Sequence, residues 1–336
     1  MTSPGGLEAR EDTPTRHLGW RRVGALARLV ALLVAVAAVI AIGRGVDRRA
    51  FLASLLAAAP GYLVLALGLE VARLIARAVI WRVSLHVEPP VPFGKLVRYT
   101  MAATSASMFT PARAGEALRP WLLRQEHQIP FHQSIGVALG EKVLDGLSLL
   151  VLVIPLPWLV PALPAWAART IQGLAVVTVP GLALSWWIAR RRSDPGKIAL
   201  FFGQIRILRE PRTLALAFVA CFAGWCLDLT ALYATMRAVG LRPGAGAAAF
   251  VLLVINVALL VPATPGNLGA LEAAAVLAMQ ILDIDRAAAV AVGVLYHAVQ
   301  LVPLVAFAIA HPRLMLGARP KKLAGALAAV STRDER

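Results

Sequence analysis

Three groups of ionisable residues lie in or beside apolar stretches of this 336-residue chain, and their spacing sets out the chemistry open to it. Arg113, Glu116 and Arg119 follow one another at intervals of three, with Arg124 close behind. At a helix start that interval lines them along one face. A guanidinium pair there suits a phosphate, because the planar fork binds two oxygens and the helix dipole adds to the attraction. The same spacing also serves an Arg–Glu–Arg ladder that only ties down a loop. Glu141, Lys142 and Asp145 form the second group, with the two acids four apart and so stacked on a helix. Charged groups at bilayer depth cost about 2.5–3.5 kcal/mol each on insertion scales and turn towards a bundle interior. Two roles fit these acids: pairing with Arg113 or Arg119, or relaying a proton. The third group is Asn267 and Glu272, with His297 and Gln300 further on. In its apolar surroundings Glu272 needs helix-start amides, a basic residue or a cation as partner. His297 and Gln300 fall about 155 positions after Glu141 and Asp145. His297 reads as a helix–helix hydrogen bonder. No metal-ligand spacing, nucleotide loop or nucleophile motif stands out, so no metal, cofactor or enzymatic step is expected. Without a Walker sequence, ATP-driven transport within this chain is not expected either.

These groups cluster around two helix-breaking runs. The first is Thr110-Pro111-Ala112-Arg113-Ala114-Gly115-Glu116, and the second is Thr264-Pro265-Gly266-Asn267-Leu268-Gly269-Ala270-Leu271-Glu272. Both read Thr-Pro, three residues, Gly, and the two glycines Gly115 and Gly269 are 154 positions apart. Irregular backbone at membrane depth survives only where protein or a water-filled cavity satisfies its polar groups. Corresponding breaks in two halves point to a transporter site near the bilayer midplane. The apolar arms flanking each break fall short of the roughly 20 residues of a span. Each break therefore reads as the tip of a re-entrant hairpin, with arms Lys95–Phe109 and Ala114–Gln125 in the first and Ala247–Val261 and Leu268–Leu282 in the second.

The composition supplies the frame for these hairpins. With 59% hydrophobic and 15% charged residues, the chain departs from a soluble domain towards a polytopic membrane protein. The net charge of +16 is concentrated at the ends of apolar runs and in short loops, a positive-inside pattern facing anionic lipid headgroups rather than nucleic acid. The expected fold is an all-α membrane protein of about six spans plus two hairpins. The spans are Ala25–Ile42, Phe51–Trp81 interrupted at Pro60-Gly61, His132–Ile154, Thr170–Ala189, Thr213–Val239 and Arg286–Ala310. Residues 1–24 read as a disordered cytoplasmic segment and 311–336 as a basic cytoplasmic tail. Between them, 25–310 form one membrane domain with repeats over about 51–155 and 213–310. Glu70 and Arg73 are placed to pair, and with Arg77 are expected to snorkel to headgroup level. Cys221 and Cys226 read as small apolar fillers. The basic tract 190–212 and both termini belong in the cytoplasm. Arg44, Arg48 and Arg49, on the outside, are the misfit. Three spans separate corresponding points of the halves, which inverts the second copy.

At these residues the chain resembles the lysylphosphatidylglycerol synthase transmembrane-region family, also called flippase-like membrane proteins. The stretches that carry the resemblance are Pro111-Ala112-Arg113-Ala114-Gly115-Glu116-Ala117-Leu118-Arg119, Glu141-Lys142-Val143-Leu144-Asp145-Gly146 and Pro265-Gly266-Asn267-Leu268-Gly269-Ala270-Leu271-Glu272-Ala273. The family includes the membrane part of the multiple peptide resistance factor and stand-alone proteins of lipid and polyprenyl pathways. The resemblance implies a bacterial inner-membrane protein that moves an anionic, polyprenyl- or glyco-linked lipid between leaflets. It implies no aminoacylation here, since the soluble lysyl-transferase domain has no counterpart in these residues. Two rivals come from other classes. One is an accessory subunit that scaffolds lipid-pathway enzymes. The other is an intramembrane transferase, which needs an activated-donor site that the chain does not display.

Overall fold

The computed structural model describes residues 47–317, apart from 160–164, 166–167, 170, 174–175, 177–209 and 261–263, and without the side chains of 109, 111–113, 265 and 316–317. The expected first span, the N-terminal segment 1–24, most of the expected span at 170–189, most of the basic tract 190–212 and most of the tail 311–336 lie outside the described residues. Among the described residues all regular structure is helical.

The expected second span is two helices, α1 (Arg48–Leu56) and α2 (Pro60–Ser84), bent by 77° at the break between them. Pro60 causes the bend. It has no N–H to give to Leu56, and its ring would clash with that carbonyl, so it starts a new helix instead. The first hairpin follows as α3 (Phe93–Phe109), a 3₁₀ segment (Pro111–Ala117) and α4 (Leu118–His127). The α-helix after the break begins at Leu118, four residues later than expected, because the Thr-Pro-x-x-x-Gly run winds as 3₁₀ turns. Next comes α5 (Phe131–Val153), then the short α6 (Leu156–Leu159). The second half contains α7 (Pro211–Ala238), α8 (Ala245–Ala258), a 3₁₀ turn (Pro265–Asn267), α9 (Ala270–Ile281), α10 (Arg286–Ala310) and α11 (Pro312–Gly317).

By length and composition, α7 and α10 are each apolar and long enough to cross a membrane, and the bent α1–α2 pair passes the same test as one unit. At 1.5 Å per residue the 28 residues of α7 reach about 42 Å, against a hydrocarbon core of roughly 30 Å. The 23-residue α5 also has the reach, but it carries Glu141, Lys142 and Asp145. Asp285 caps α10, accepting hydrogen bonds from the backbone of Ala287 and Ala288.

Helices α2 and α7 lie antiparallel along their whole length. At one end the Ala59 N–H donates to the Ala238 carbonyl at 2.9 Å, and at the other His86 Nε2 lies 2.7 Å from Glu210 Oε2. Short connections then fix the remaining elements. The first hairpin starts from and returns to the end of the bundle that holds His86. The second starts from and returns to the end that holds Ala238. The hairpins thus open towards opposite ends. The largest apolar core gathers α8, α9 and α10 with the inner ends of α5 and α7, including Phe250, Leu271, Met279 and Tyr296. A second core packs the first hairpin around Trp81, Leu96, Leu118 and Leu123.

Candidate functional site

A seam of buried charge runs along α2. Glu70, Arg73 and Arg77 recur at helical intervals on that helix. They do not snorkel to the headgroups. Glu70 is fully buried, and each arginine meets an acid inside the bundle. The reason is the set of acids that α5 and α7 bring to this face. Arg73 holds Glu70 through two bonds, Nε to Oε2 at 2.7 Å and Nη2 to Oε1 at 2.6 Å. It also stands 3.9 Å from Asp228 Oδ1 on α7. Arg77 donates to Asp145 Oδ2 at 2.5 Å and lies 3.8 Å from Glu141 Oε1, both on α5.

Glu141 is the centre of the next cluster. Its Oε2 accepts from Trp81 Nε1 at 2.7 Å and from Arg119 Nη1 at 3.0 Å. The Arg119 guanidinium also lies 4.5 Å over the Trp81 ring, a cation–π contact within a desolvated site. Arg119 and Glu141 are both buried, and among the described residues Arg119 Nε and Glu141 Oε1 have no hydrogen-bond partner. The two acids of α5 therefore do pair with arginines, but only Glu141 reaches the hairpin, and Asp145 takes Arg77 of α2. The three-residue ladder does not form through Glu116. That carboxylate is exposed and takes Lys142 at 3.0 Å, while Arg119 turns inward. The helix changes pitch at Ala117–Leu118, from three residues per turn to 3.6, which parts their faces. The Arg113 side chain lies outside the described residues.

At the first break, the Gly115 N–H donates to Thr110 Oγ1 at 2.8 Å. A Cβ on Gly115 would fall 2.2 Å from Ser107 N and 2.4 Å from Ala106 C, so only glycine lets the segment lie against α3. At the second break, Gly266, Asn267 and Gly269 all have positive φ. The Asn267 N–H closes the turn on the Thr264 carbonyl at 3.1 Å. Glu272 caps α9, with Oε2 accepting the Gly269 N–H at 2.8 Å. Its Oε1 lies 2.7 Å from His297 Nδ1, and His297 Nε2 lies 2.8 Å from the Gly266 carbonyl. A carbonyl can only accept, so Nε2 carries a hydrogen. Nδ1 and a bare carboxylate oxygen cannot share 2.7 Å without a proton between them, so the Glu272–His297 contact holds one. His297 is thus a bonder between elements, tying α10 to the tip of the second hairpin and to the start of α9. The two tips are neighbours. A Cβ on Gly266 would come 3.9 Å from the Met108 carbonyl at the end of α3.

Four participants escaped the sequence reading. Asp228 accepts from Tyr296 Oη at 2.6 Å, Cys221 Sγ donates to Asp145 Oδ1 at 3.0 Å, and Trp81 bonds Glu141. A single aspartate inside the apolar α7 was the available signal for the first. Nothing in the sequence distinguished Tyr296, Cys221 or Trp81 from core fillers. Among the described residues no group of three His, Cys, Asp or Glu side chains is placed to hold a metal ion. The seam sets paired charges and their hydrogen-bonding partners side by side inside the bundle.

The sequence is similar to a UPF0104 membrane protein of Methanothermobacter thermautotrophicus, at 25% identity over 254 residues, covering 63% of this chain and 72% of that protein. The profile of the lysylphosphatidylglycerol synthase TM region matches residues 28–308, an interval that holds the charge seam and both breaks. The chain is therefore a multi-pass helical membrane protein that belongs to the lysylphosphatidylglycerol synthase TM-region family.

Proposed function

We propose that this protein is a lipid translocator of the flippase type. It would move an anionic or polyprenyl- or glyco-linked lipid between leaflets of a bacterial cytoplasmic membrane, with both termini in the cytoplasm. The observation that carries this reading is the meeting of two short-armed hairpins, opening towards opposite ends of the bundle, beside a buried seam of ion pairs. Discontinuous helices at the midplane are how transporters place polar backbone and helix ends around a substrate.

Two inverted repeats are part of the same proposal. The order helix, helix, 3₁₀ segment, helix, helix occurs twice, from α2 to α5 and from α7 to α10. The equivalent helices α2 and α7 are antiparallel, as inversion requires. Arg77–Asp145 and Asp228–Tyr296 each link residues 68 apart, the second pair 151 positions after the first.

In this mechanism Arg113 meets the headgroup phosphate at the first tip. Arg119 is held by Glu141 until the phosphate takes the carboxylate's place on its guanidinium. Among the described residues Arg119 Nε and Glu141 Oε1 make no hydrogen bond, which leaves bonding capacity at this point. The acyl or prenyl chains remain in the bilayer. Asn267, Glu272 and His297 set the second tip.

The test uses proteoliposomes with a fluorescent phosphatidylglycerol or phosphatidylcholine and an outer-leaflet quencher. Arg113→Lys is expected to slow movement of the anionic probe, since lysine keeps the charge but loses the fork, and Arg113→Gln to slow it further. The zwitterionic probe should lose less. Equal flipping of both probes by wild type and Arg113→Gln ends the headgroup proposal. The internally paired state of Arg119 also suits an accessory subunit that assembles with lipid-pathway enzymes. Glu141→Gln protein that expresses normally and leaves the pathway product unchanged would favour that reading.

A further inference from the structure

The seam is not electrically neutral. Among the described residues it contains three guanidiniums, on Arg73, Arg77 and Arg119, and four carboxylates, on Glu70, Glu141, Asp145 and Asp228. Its two parts differ. Beside α5, Arg77 and Arg119 face Glu141 and Asp145, and the charges match. Beside α7, Arg73 alone serves two acids. Its Nε and Nη2 are both engaged by Glu70, at 2.7 and 2.6 Å. Asp228 is left 3.9 Å from Arg73 Nε. Asp228 Oδ1 accepts from Tyr296 Oη at 2.6 Å, while Oδ2 takes part in no hydrogen bond among the described residues. Glu70 and Tyr296 are fully buried, and Asp228 is 5% exposed.

We propose that Glu70 and Asp228, which share the single guanidinium of Arg73, together hold one exchangeable proton. The groups that face the pair are Arg73 and Arg77 from α2 and Tyr296 from α10. Arg77 is itself taken by Asp145, and Tyr296 is neutral. A second full negative charge here would stand inside an apolar 28-residue helix with half a counter-charge. Isolated charges in such surroundings neutralise rather than persist. A proton from bulk water completes the balance, and no other reactant is needed. Its loss leaves both acids competing for Arg73. That guanidinium joins α2 to α7, the antiparallel pair at the centre of the bundle, so the proton sets how firmly the two helices are locked. The site stands whether or not a lipid moves, and so does its test.

Infrared difference spectroscopy on the whole protein in lipid nanodiscs reads the proton directly. At neutral pH the wild type should show a carboxylic-acid C=O band that moves in heavy water. Asp228→Asn should lose one group's worth of that band. Glu70→Gln should lose the same amount, because removing either acid ends the imbalance and leaves the other ionised on Arg73. The surface variant Glu126→Gln should keep it. Asparagine can still accept from Tyr296, and the two variants check each other should one fail to fold. A wild-type spectrum without the band overturns the proposal. So does a band unchanged in both Asp228→Asn and Glu70→Gln. Sodium-dependent stabilisation without the band would assign the site to a metal cation instead and would equally overturn it.

Discussion

Glu141→Gln is the sharpest probe of the seam. The substitution keeps the shape of the side chain and an oxygen for Trp81, but removes the charge that neutralises Arg119. Arg77 is little affected, since Asp145 remains 2.5 Å away. Removing one member of a buried pair costs about 3–5 kcal/mol, because the other charge is stranded. The low end, about 3 kcal/mol, is expected here, since glutamine still accepts hydrogen bonds and Arg119 keeps its stacking over Trp81 at 4.5 Å. Arg119→Gln strands Glu141 between Trp81 and Arg77 and should cost a similar amount. The double variant replaces two charges by two amides that can bond each other. It should cost less than the sum of the single variants by about 2 kcal/mol, within the usual range for coupled neighbours. The assay is denaturant or thermal unfolding in one fixed detergent, with size exclusion to confirm the folded species. If the double variant equals the sum of the singles to within about 0.5 kcal/mol, the pair is not coupled and the seam is wrongly drawn. Measuring flipping on the same samples separates roles: activity that falls only with the folded fraction makes the pair structural.

Gly115→Ala should prevent folding of the first hairpin, because its Cβ would sit 2.2 Å from backbone, whereas Gly266→Ala has its nearest neighbour at 3.9 Å. The second should cost only the left-handed penalty of about 1–2 kcal/mol, and comparable melting temperatures for the two would refute the packing argument. Reporters fused after residues 200 and 320 should score cytoplasmic and one near 162 external; an external score at 200 would overturn the cytoplasmic placement of the basic tract. At the mouth of the first hairpin, outside the spans, Tyr99 Oη donates to Glu126 Oε2 at 2.6 Å and Lys95 Nζ lies 3.1 Å away. The Tyr99 bond, assisted by Lys95, holds the Glu126 carboxyl below its usual range, and burial beside Lys95 holds His127 low as well. Both groups bind protons more readily unfolded, so their stabilisation is present at neutral pH and is lost as pH falls, first for His127 and then for Glu126. Tyr99→Phe should flatten the more acid part of that loss in melting temperature against pH; an unchanged slope would refute it.

Helix positions were legible because apolar period and punctuation agreed. Arg286 to Ala310 is one apolar run with Asp285 as its cap, and the expected limits match those of α10. The breaks were legible because Pro111, Pro265 and the glycines have few other uses in an apolar run. What the sequence could not display is direction across the bundle. Glu70 and Arg77 look the same whether a face meets headgroups or three other helices, and only the packing of α5, α7 and α10 on α2 decides. Tyr296 and Trp81 have ordinary core side chains whose polar atoms matter only because an acid lies opposite.

Within the proposed repeat, the break motifs and the bonds give two different offsets. The break motifs repeat at 154 positions, which sets His297 and Gln300 against Glu141 and Asp145 to within two residues. The bonds repeat at 151, which sets Tyr296 against Asp145 and Asp228 against Arg77. From Gly115 to Asp145 is 30 positions, and from Gly269 to Tyr296 is 27. Three residues fewer is most of one helical turn, enough to keep the facing side chains in register while shifting the motif against the bond. On that alignment the acid and the base have changed places. The first half presents Arg77 from its long helix to an acid on α5, and the second presents Asp228 from its long helix to a phenol on α10. The second bond supplies no cation, which leaves Asp228 to share Arg73. In the proposed repeat, the uneven charge of the seam corresponds to one position filled by Arg77 in the first half and by Asp228 in the second.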